Sequence, residues 1–355
     1  MRLQWRRGAW RMPAVAFAGM ITVSTMLLVV AVNTLRQTEA ENWGPGPGSG
    51  TGARMEWLRG QGARDAARYV RPGQPTALLP PPAGLCAGSP PPQLLLAVPS
   101  AVANRERRDA VRATWGRALR DSSRLLFVTG HSGDGRLQEE LIAEALVNGD
   151  MLVEDMVDTY DNLTVKTLLM LKWTADHCSQ VSYVVKVDDD VVLNVRALSR
   201  VLAGAAERGW PLVGRLLRRP PPFRSPNHKW YVPRWLYPED ALPEYLSGPS
   251  YAVAGSALRP LLRAALKTPL LPLEDVLTTG VAADTAGLTR YDVPGLDAVP
   301  SPLWLTRPCL ARASLSTGSL TAHEIRAIWD TVSRPPAGLC WLLDRLGIID
   351  HGREW

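Results

Sequence analysis

The chain predicts an α/β fold, and three observations carry that expectation. The first is residues 182–195, SYVVKVDDDVVLNV, where the apolar residues Tyr183, Val184, Val185 and Val187 run straight into Asp188, Asp189 and Asp190. A Val-rich run without polar alternation suits a strand buried on both faces, as in a parallel sheet. The second is the alternation of strand-like and helix-like segments over residues 93–207, the signature of a doubly wound sheet. The third is size: 355 residues, 46% of them hydrophobic, suffice for one large domain or two small ones.

The amino terminus comes first in order. Arg2, Arg6, Arg7 and Arg11 precede residues 13–32, a run without a charge that is long enough to cross a bilayer. The positive-inside rule puts residues 1–12 in the cytosol. A cleaved signal peptide would carry a shorter hydrophobic region and an A-x-A-like site close behind it, so an uncleaved single-pass type II anchor is expected. Residues 33–92 are rich in Pro and Gly and read as a luminal stem, with a short helix allowed over residues 55–69. The globular, luminal domain is expected over residues 93–355.

Within it, residues 93–98 read as a strand, followed by a helix over 104–116 with Asn104 as N-cap and Gly116 as stop. Val111 and Trp115 make that helix's core stripe. Arg105, Arg108 and Arg112 recur on another face, either solvated or facing a phosphate. Strands are expected at 124–130 and 151–156, separated by a helix closed by Asn148-Gly149. A helix over 163–178 should turn Val165, Leu168, Leu169 and Trp173 inward. The acidic strand follows, then an amphipathic helix over 196–207. Residues 214–249 read as irregular. Their aromatics, among them Trp230, Trp235 and Tyr245, with Tyr251 beyond, suit either plain core or a carbohydrate-binding wall.

Three acids at the end of a buried strand need a partner, because charges are almost never buried unpaired. Ligand sites in open α/β sheets lie at the carboxyl ends of strands, and hard divalent cations take carboxylate oxygens and bring phosphates with them. The alternative is a solvated acidic turn. Glu274-Asp275 follow a second apolar run and would open a helix, either as a cap or as a general base. The net charge of +6 comes from scattered Arg, without the basic block of a nucleic-acid surface, so no nucleic-acid partner is expected. Four cysteines, none in C-x-x-C spacing, allow two disulfides in a luminal compartment, and Cys86–Cys178 with Cys309–Cys340 is the pairing expected. Asn162-Leu163-Thr164 is a glycosylation sequon that this topology would expose.

RRDAVRATWG, DTYDNLTVKTLLMLKW, VVKVDDDVVLNV, YLSGPSYAVAG and LPLEDVLTTG, in this order, resemble the animal β-1,3-glycosyltransferase family of galactosyl- and N-acetylglucosaminyltransferases. The resemblance spans roughly residues 93–329. It implies a GT-A fold, a Rossmann-like nucleotide-binding half joined to an acceptor-binding half. Asp188-Asp189-Asp190 match the D-x-D signature, so that Asp190 would bind Mn²⁺ and Asp188 would contact the metal or the ribose. Asp275, with Glu274 beside it, matches the catalytic base. Arg108, Arg112, Lys166, Lys186, Asp188 and Asp189 fall on the nucleotide-sugar side, and Trp230, Tyr245, Gly248 and Tyr251 on the acceptor side. Two positions depart from the family. A His is implied eleven residues before Trp329, where Gly318 stands, and His323 is the nearest substitute as a metal ligand. The acceptor motif's Gly-x-Gly-Tyr is Gly248-Pro249-Ser250-Tyr251 here.

The expectation is thus a Golgi-resident, Mn²⁺-dependent, inverting β-1,3-galactosyltransferase moving galactose from UDP-galactose to an oligosaccharide acceptor on lipid or protein. The alternatives are an N-acetylglucosaminyltransferase of the same family and a catalytically silent glycan-binding relative. A metal-dependent phosphohydrolase would need a second acid or His cluster for two metals, and the sequence offers none.

Overall fold

The computed structural model describes residues 64–342, apart from 89, 120–121, 298–308, 310, 313, 335–337 and 339–340. The expected cytosolic tail, membrane anchor and most of the stem lie outside the described residues. Among the described residues no helix is long and apolar enough to cross a membrane.

The fold is mixed α/β around one eight-stranded sheet. Its strands are β1 (Ala77–Leu79), β2 (Leu94–Pro99), β3 (Ser123–His131), β4 (Met151–Val157), β5 (Tyr183–Val187), β7 (Leu212–Leu217), β8 (Tyr245–Ala254) and β9 (Arg290–Asp292). They are ordered β1-β4-β3-β2-β5-β8-β7-β9. β2, β3, β4 and β5 run parallel, while β8 returns antiparallel between β5 and β7. A separate ribbon joins β6 (Val192–Leu193) to β10 (Ser316–Thr317).

The helices are α1 (Ala66–Val70), α2 (Arg105–Ala113), α3 (Gly135–Asn148), α4 (Leu163–His177), α5 (Val195–Glu207), α6 (Gly255–Ala265), the short α7 (Ala283–Thr285) and α8 (Ala322–Ser333). They cover both faces. β2 turns Leu95 and Ala97 to one core, shared with α1, α4 and α6, and Leu94, Leu96 and Val98 to the other, shared with α2, α3, α5 and α8. That is why β2 and β5 read as unbroken apolar runs: neither face meets water. Gly149 ends α3 at φ 65°, the left-handed geometry that Gly adopts freely.

Three features differ from the sequence expectation. The domain begins well before residue 93. α1 buries Ala66 and Val70, β1 pairs with β4, and the Lys172 ammonium of α4 donates to the carbonyls of Val70 (3.1 Å), Arg71 (3.2 Å) and Gln74, and to Thr76 Oγ1 (3.0 Å). A three-residue edge strand between Pro-rich runs has too short a pattern to be legible. α4 is buried nearly all round rather than on one stripe, its two lysines included. The irregular stretch is narrower than expected, since β7 extends to Leu217 and β8 begins at Tyr245.

Cys86 and Cys178 are joined by a disulfide that pins the segment before β2 to the end of α4. Cys309 is buried and disulfide-bonded, and Cys340 lies outside the described residues.

Candidate functional site

The carboxyl end of β5 meets β8 and the turn that opens a π-helix (Val276–Ala282). β8 pairs Tyr251 with Lys186 and Ser250 with Val187, and the Asp188 N–H donates to the Pro249 carbonyl at 3.0 Å. The Lys186 side chain, 2% exposed, is the hub. Its Nζ donates to Asp188 Oδ1 and to the Gly248 carbonyl, both at 2.6 Å, and forms an ion pair with Glu274 Oε1 at 3.0 Å. Glu274 accepts through Oε2 from the hydroxyl of Tyr251 at 3.1 Å. Burial lowers the Lys186 pKa, but the charges of Asp188 and Glu274 outweigh it and hold the ammonium protonated well above the usual lysine range.

Asp275 sits beside this hub. One oxygen, Oδ1, accepts from the Val276 N–H at 2.9 Å, so the residue does cap its helix. The other faces Gly248 so closely that a Cβ added there would stand 2.8 Å from Oδ2. Burial, reinforced by the neighbouring Glu274 charge and opposed by Lys186, raises the Asp275 pKa from 3.8 to about 7. A carboxyl near neutrality can exchange a proton at working pH. Burial also raises the hydroxyl pKa of Tyr245, and the Asp275 charge adds to that.

The three strand-end acids do different things. Asp189 is 5% exposed and accepts from Ser100 Oγ (2.7 Å), Asn104 Nδ2 (2.9 Å) and Arg107 Nη1 (3.2 Å). It ties the turn to the start of α2 instead of reaching a nucleotide. Asn104, expected as a simple cap, makes no side-chain bond to its own helix. Asp188 and Asp190 stay half-buried. The ribbon sets Thr317 against Val192, and the Leu320 N–H donates to the Asp190 carbonyl at 3.1 Å. Position 318 therefore falls beside Asp190, and it is a glycine. His323 is exposed in the first turn of α8. Among the described residues no three His, Cys, Asp or Glu side chains are grouped to hold a metal by themselves.

Arg108, Arg112 and Lys166 are corrected as well. Arg108 is 1% exposed and spends its guanidinium on Glu144 (2.8 and 2.7 Å), Ser100 Oγ (3.0 Å) and the carbonyls of Ala101 (2.6 Å) and Val102 (3.0 Å). Arg112 forks onto Asp150 (2.8 and 2.9 Å) and reaches Glu144 at 2.7 Å. Burial pushes the Glu144 pKa up, yet the bonds from Arg108 and Arg112 overcome it and hold the carboxyl below its usual range. Lys166 donates to the Ser100 carbonyl (2.8 Å) and to Asp158 (2.6 Å). All three brace the site from behind.

Among the acceptor-side residues, Tyr251 is fully buried against Glu274, out of reach of an acceptor. Trp230 is exposed, Tyr245 half-buried, and Gly248 abuts Asp275. Pro249 is accommodated because the β7–β8 register shifts between Gly214 and Leu216, leaving extra β8 residues where a missing N–H breaks no ladder bond. Ser250 is buried, and its hydroxyl donates to the Leu296 carbonyl at 3.2 Å. Asn162 is also corrected: it is 3% exposed and its Nδ2, the nitrogen a glycan would need, donates to the Val157 carbonyl at 2.7 Å.

Sequence reasoning missed Arg107 and Tyr160. Arg107 stands three residues after Asn104, on the same helix face, which is a signal the Arg row on the other face obscured. Tyr160 lies within a motif already singled out, two residues before the sequon. Its hydroxyl is set among the charges of Asp275, Asp188 and Lys186.

Residues 106–294 match the Galactosyltransferase family. The chain is 33% identical to human beta-1,3-galactosyltransferase 4 over 78% of its own length and 85% of that protein's. It is 33% identical to a mouse acetylgalactosaminyl-O-glycosyl-glycoprotein beta-1,3-N-acetylglucosaminyltransferase, over 70% of this chain and 67% of that one. A rat UDP-GlcNAc:betaGal beta-1,3-N-acetylglucosaminyltransferase 7 is 30% identical, over 67% and 64% respectively.

Proposed function

The chain belongs to the Galactosyltransferase family, and on that premise we propose that it is an inverting β-1,3-galactosyltransferase of GT-A type with Asp275 as its base. The observation that carries this reading is Asp275 itself, a buried carboxyl with a pKa raised to about 7, beside an acid pair held by Lys186. The acceptor hydroxyl oxygen attacks the anomeric carbon of an α-linked UDP-sugar. That bond forms as the bond to the diphosphate breaks, and the hydroxyl proton passes to Asp275. One displacement inverts the centre and yields a β-linkage. Lys186 fixes Asp188 and Glu274 through its two ion pairs, and Gly248 leaves room for the Asp275 carboxylate.

Asp188 and Asp190 are half-buried carboxylates one residue apart at the strand end, and oxygen ligands of that kind suit a hard cation, which takes one or two carboxylates and completes its shell with substrate phosphates. Mn²⁺ held there would share the charge of the leaving UDP. In this reading residues 13–32 anchor a single-pass type II protein of the Golgi membrane, with the catalytic domain in the lumen. The Cys86–Cys178 disulfide supports an oxidising compartment. UDP-N-acetylglucosamine is the second donor reading, favoured by the names of two of the relatives. A silent glycan-binding relative is favoured by Gly318 beside Asp190.

The test is UDP release by the full-length chain with Mn²⁺, from UDP-galactose and UDP-N-acetylglucosamine, with and without glycan acceptors. Acceptor-dependent release from UDP-galactose supports the proposal. Release from the other donor alone changes the sugar but not the mechanism. A folded chain that binds UDP and releases none from either donor is the silent relative.

A further inference from the structure

Asp275 opens a helix that is not regular. The residues after it, Val276–Ala282, wind as a π-helix before α7 resumes the α form. A π-turn carries an extra residue, is met mostly as a single turn at functional sites, and persists where its surroundings hold it. Three neighbours hold this one. Arg290, at the start of β9 and 9% exposed, donates through Nε to the Thr279 carbonyl. Its Nη2 donates to the Gly280 carbonyl at 2.7 Å and to Asp284 Oδ1 at 2.6 Å. The buried Thr279 hydroxyl donates to the Asp275 carbonyl at 2.8 Å and accepts from the Leu246 N–H of β8 at 2.8 Å. Gly280 admits the chain entering β8, because a Cβ there would stand 2.9 Å from Pro243 Cγ and 3.3 Å from Tyr245 Cβ.

These contacts converge on one carboxylate. Two residues along β8 from Leu246 stands Gly248, close against Asp275 Oδ2. The Thr279 bridge to Leu246 therefore sets the gap between that carboxylate and β8, and the fork of Arg290 fixes Thr279 in turn. A regular α-helix in place of the π-turn would drop one residue and rotate Asp275 against the rest of the helix by about 100°. Its carboxylate would then leave Gly248 and the enclosure that raises its pKa.

We propose that Thr279 and Arg290 are positioning residues for transfer, which hold the π-turn and through it aim the Asp275 carboxylate past Gly248 at the acceptor hydroxyl. This rests on the reading of Asp275 as the base. The test measures kcat, donor KM, the pH–rate profile and Tm of the full-length chain and of Thr279→Val, Thr279→Ser and Arg290→Lys. UDP-galactose is the donor, or UDP-N-acetylglucosamine if only that is turned over. Thr279→Val removes the bridge, and Arg290→Lys keeps the charge beside Asp284 but cannot fork onto two carbonyls. Both should lower kcat by about 10- to 100-fold with donor KM within about twofold. Both should also move the midpoint of the profile below its wild-type position near pH 7, and Thr279→Ser should restore rate and midpoint. Either variant suffices if the other does not fold. Variants that lose Tm yet keep kcat and midpoint overturn the proposal, because a purely structural role gives that pattern. Failure of the base reading looks different, as a wild-type profile flat from pH 5 to 8 or no turnover at all. The carboxyl itself then decides, by NMR of chain labelled with ¹³C-aspartate, its resonance assigned by its absence in Asp275→Asn. A lower titration midpoint in Thr279→Val or Arg290→Lys than in the wild type supports the positioning role, and the same midpoint overturns it.

Discussion

Two ion clusters stand side by side in this fold and follow opposite rules. Between α2, α3 and β4, two guanidiniums, Arg108 and Arg112, meet two carboxylates, Glu144 and Asp150, and a third pair, Arg105 with Asp109, stands at the rim. Charge is balanced there. At the end of β5, one ammonium, Lys186, serves both Asp188 and Glu274, and Asp275 stands next to them. Acid is in surplus there, and burial, reinforced by the Glu274 charge, raises the pKa of Asp275. Burial and ion pairing are common to both clusters, so neither marks a site. What separates them is charge left uncompensated in a place where a substrate proton could discharge it. One hydroxyl ties the balanced cluster to the turn that carries Asp188, because Ser100 Oγ accepts from Arg108 and donates to Asp189. The balanced cluster is the foundation of the unbalanced one.

The comparison predicts large structural losses on one side and large functional losses on the other. Arg108→Met should cost about 3–5 kcal/mol by leaving Glu144 and its neighbours half-paired, read by urea unfolding. A cost under about 1 kcal/mol would remove the structural role. Gly248→Ala should cost about 1–3 kcal/mol by forcing a Cβ to within 2.8 Å of Asp275 Oδ2. Transfer should fall further than stability does, and equal losses would mean that the contact is only packing. Below pH about 7 Asp275 holds its proton and cannot accept another. Initial rates should therefore rise with pH through that value and level off, and a flat profile from pH 5 to 8 would reassign the base. His323→Ala, on the exposed turn of α8, should change stability by under about 0.5 kcal/mol and leave Mn²⁺ affinity unmoved. A loss of affinity would return it to the metal site.

Much of the parallel half of the sheet was legible because β2, β3 and β5 are buried on both faces and carry unbroken apolar runs. The acid strand and Asp275 were legible because acids following such runs have few other uses. The individual roles were not. Asp189 and its two neighbours look identical in sequence, and only the arrival of Ser100, Asn104 and Arg107 from another element tells them apart. Arg108 and Arg112 carry the right spacing for a phosphate, but spacing does not show that Glu144 and Asp150 are packed opposite. That residues 66–79 pack into the domain was not legible because their anchor, Lys172, lies about a hundred residues away.

The most direct test of the account is Asp275→Asn in the full-length chain, assayed at pH 8 for transfer and for thermal unfolding. In the fold Asp275 keeps its proton up to about pH 7, whereas the ordinary value of an aspartate carboxyl is 3.8, so its contribution to stability is lost as pH rises between those values. At pH 8 the charged carboxylate therefore burdens the native state. The account predicts a fall in transfer of about 10²–10⁴-fold together with a Tm equal to or above that of the wild type. Wild-type transfer, or a drop in Tm like that of Arg108→Met, would contradict it.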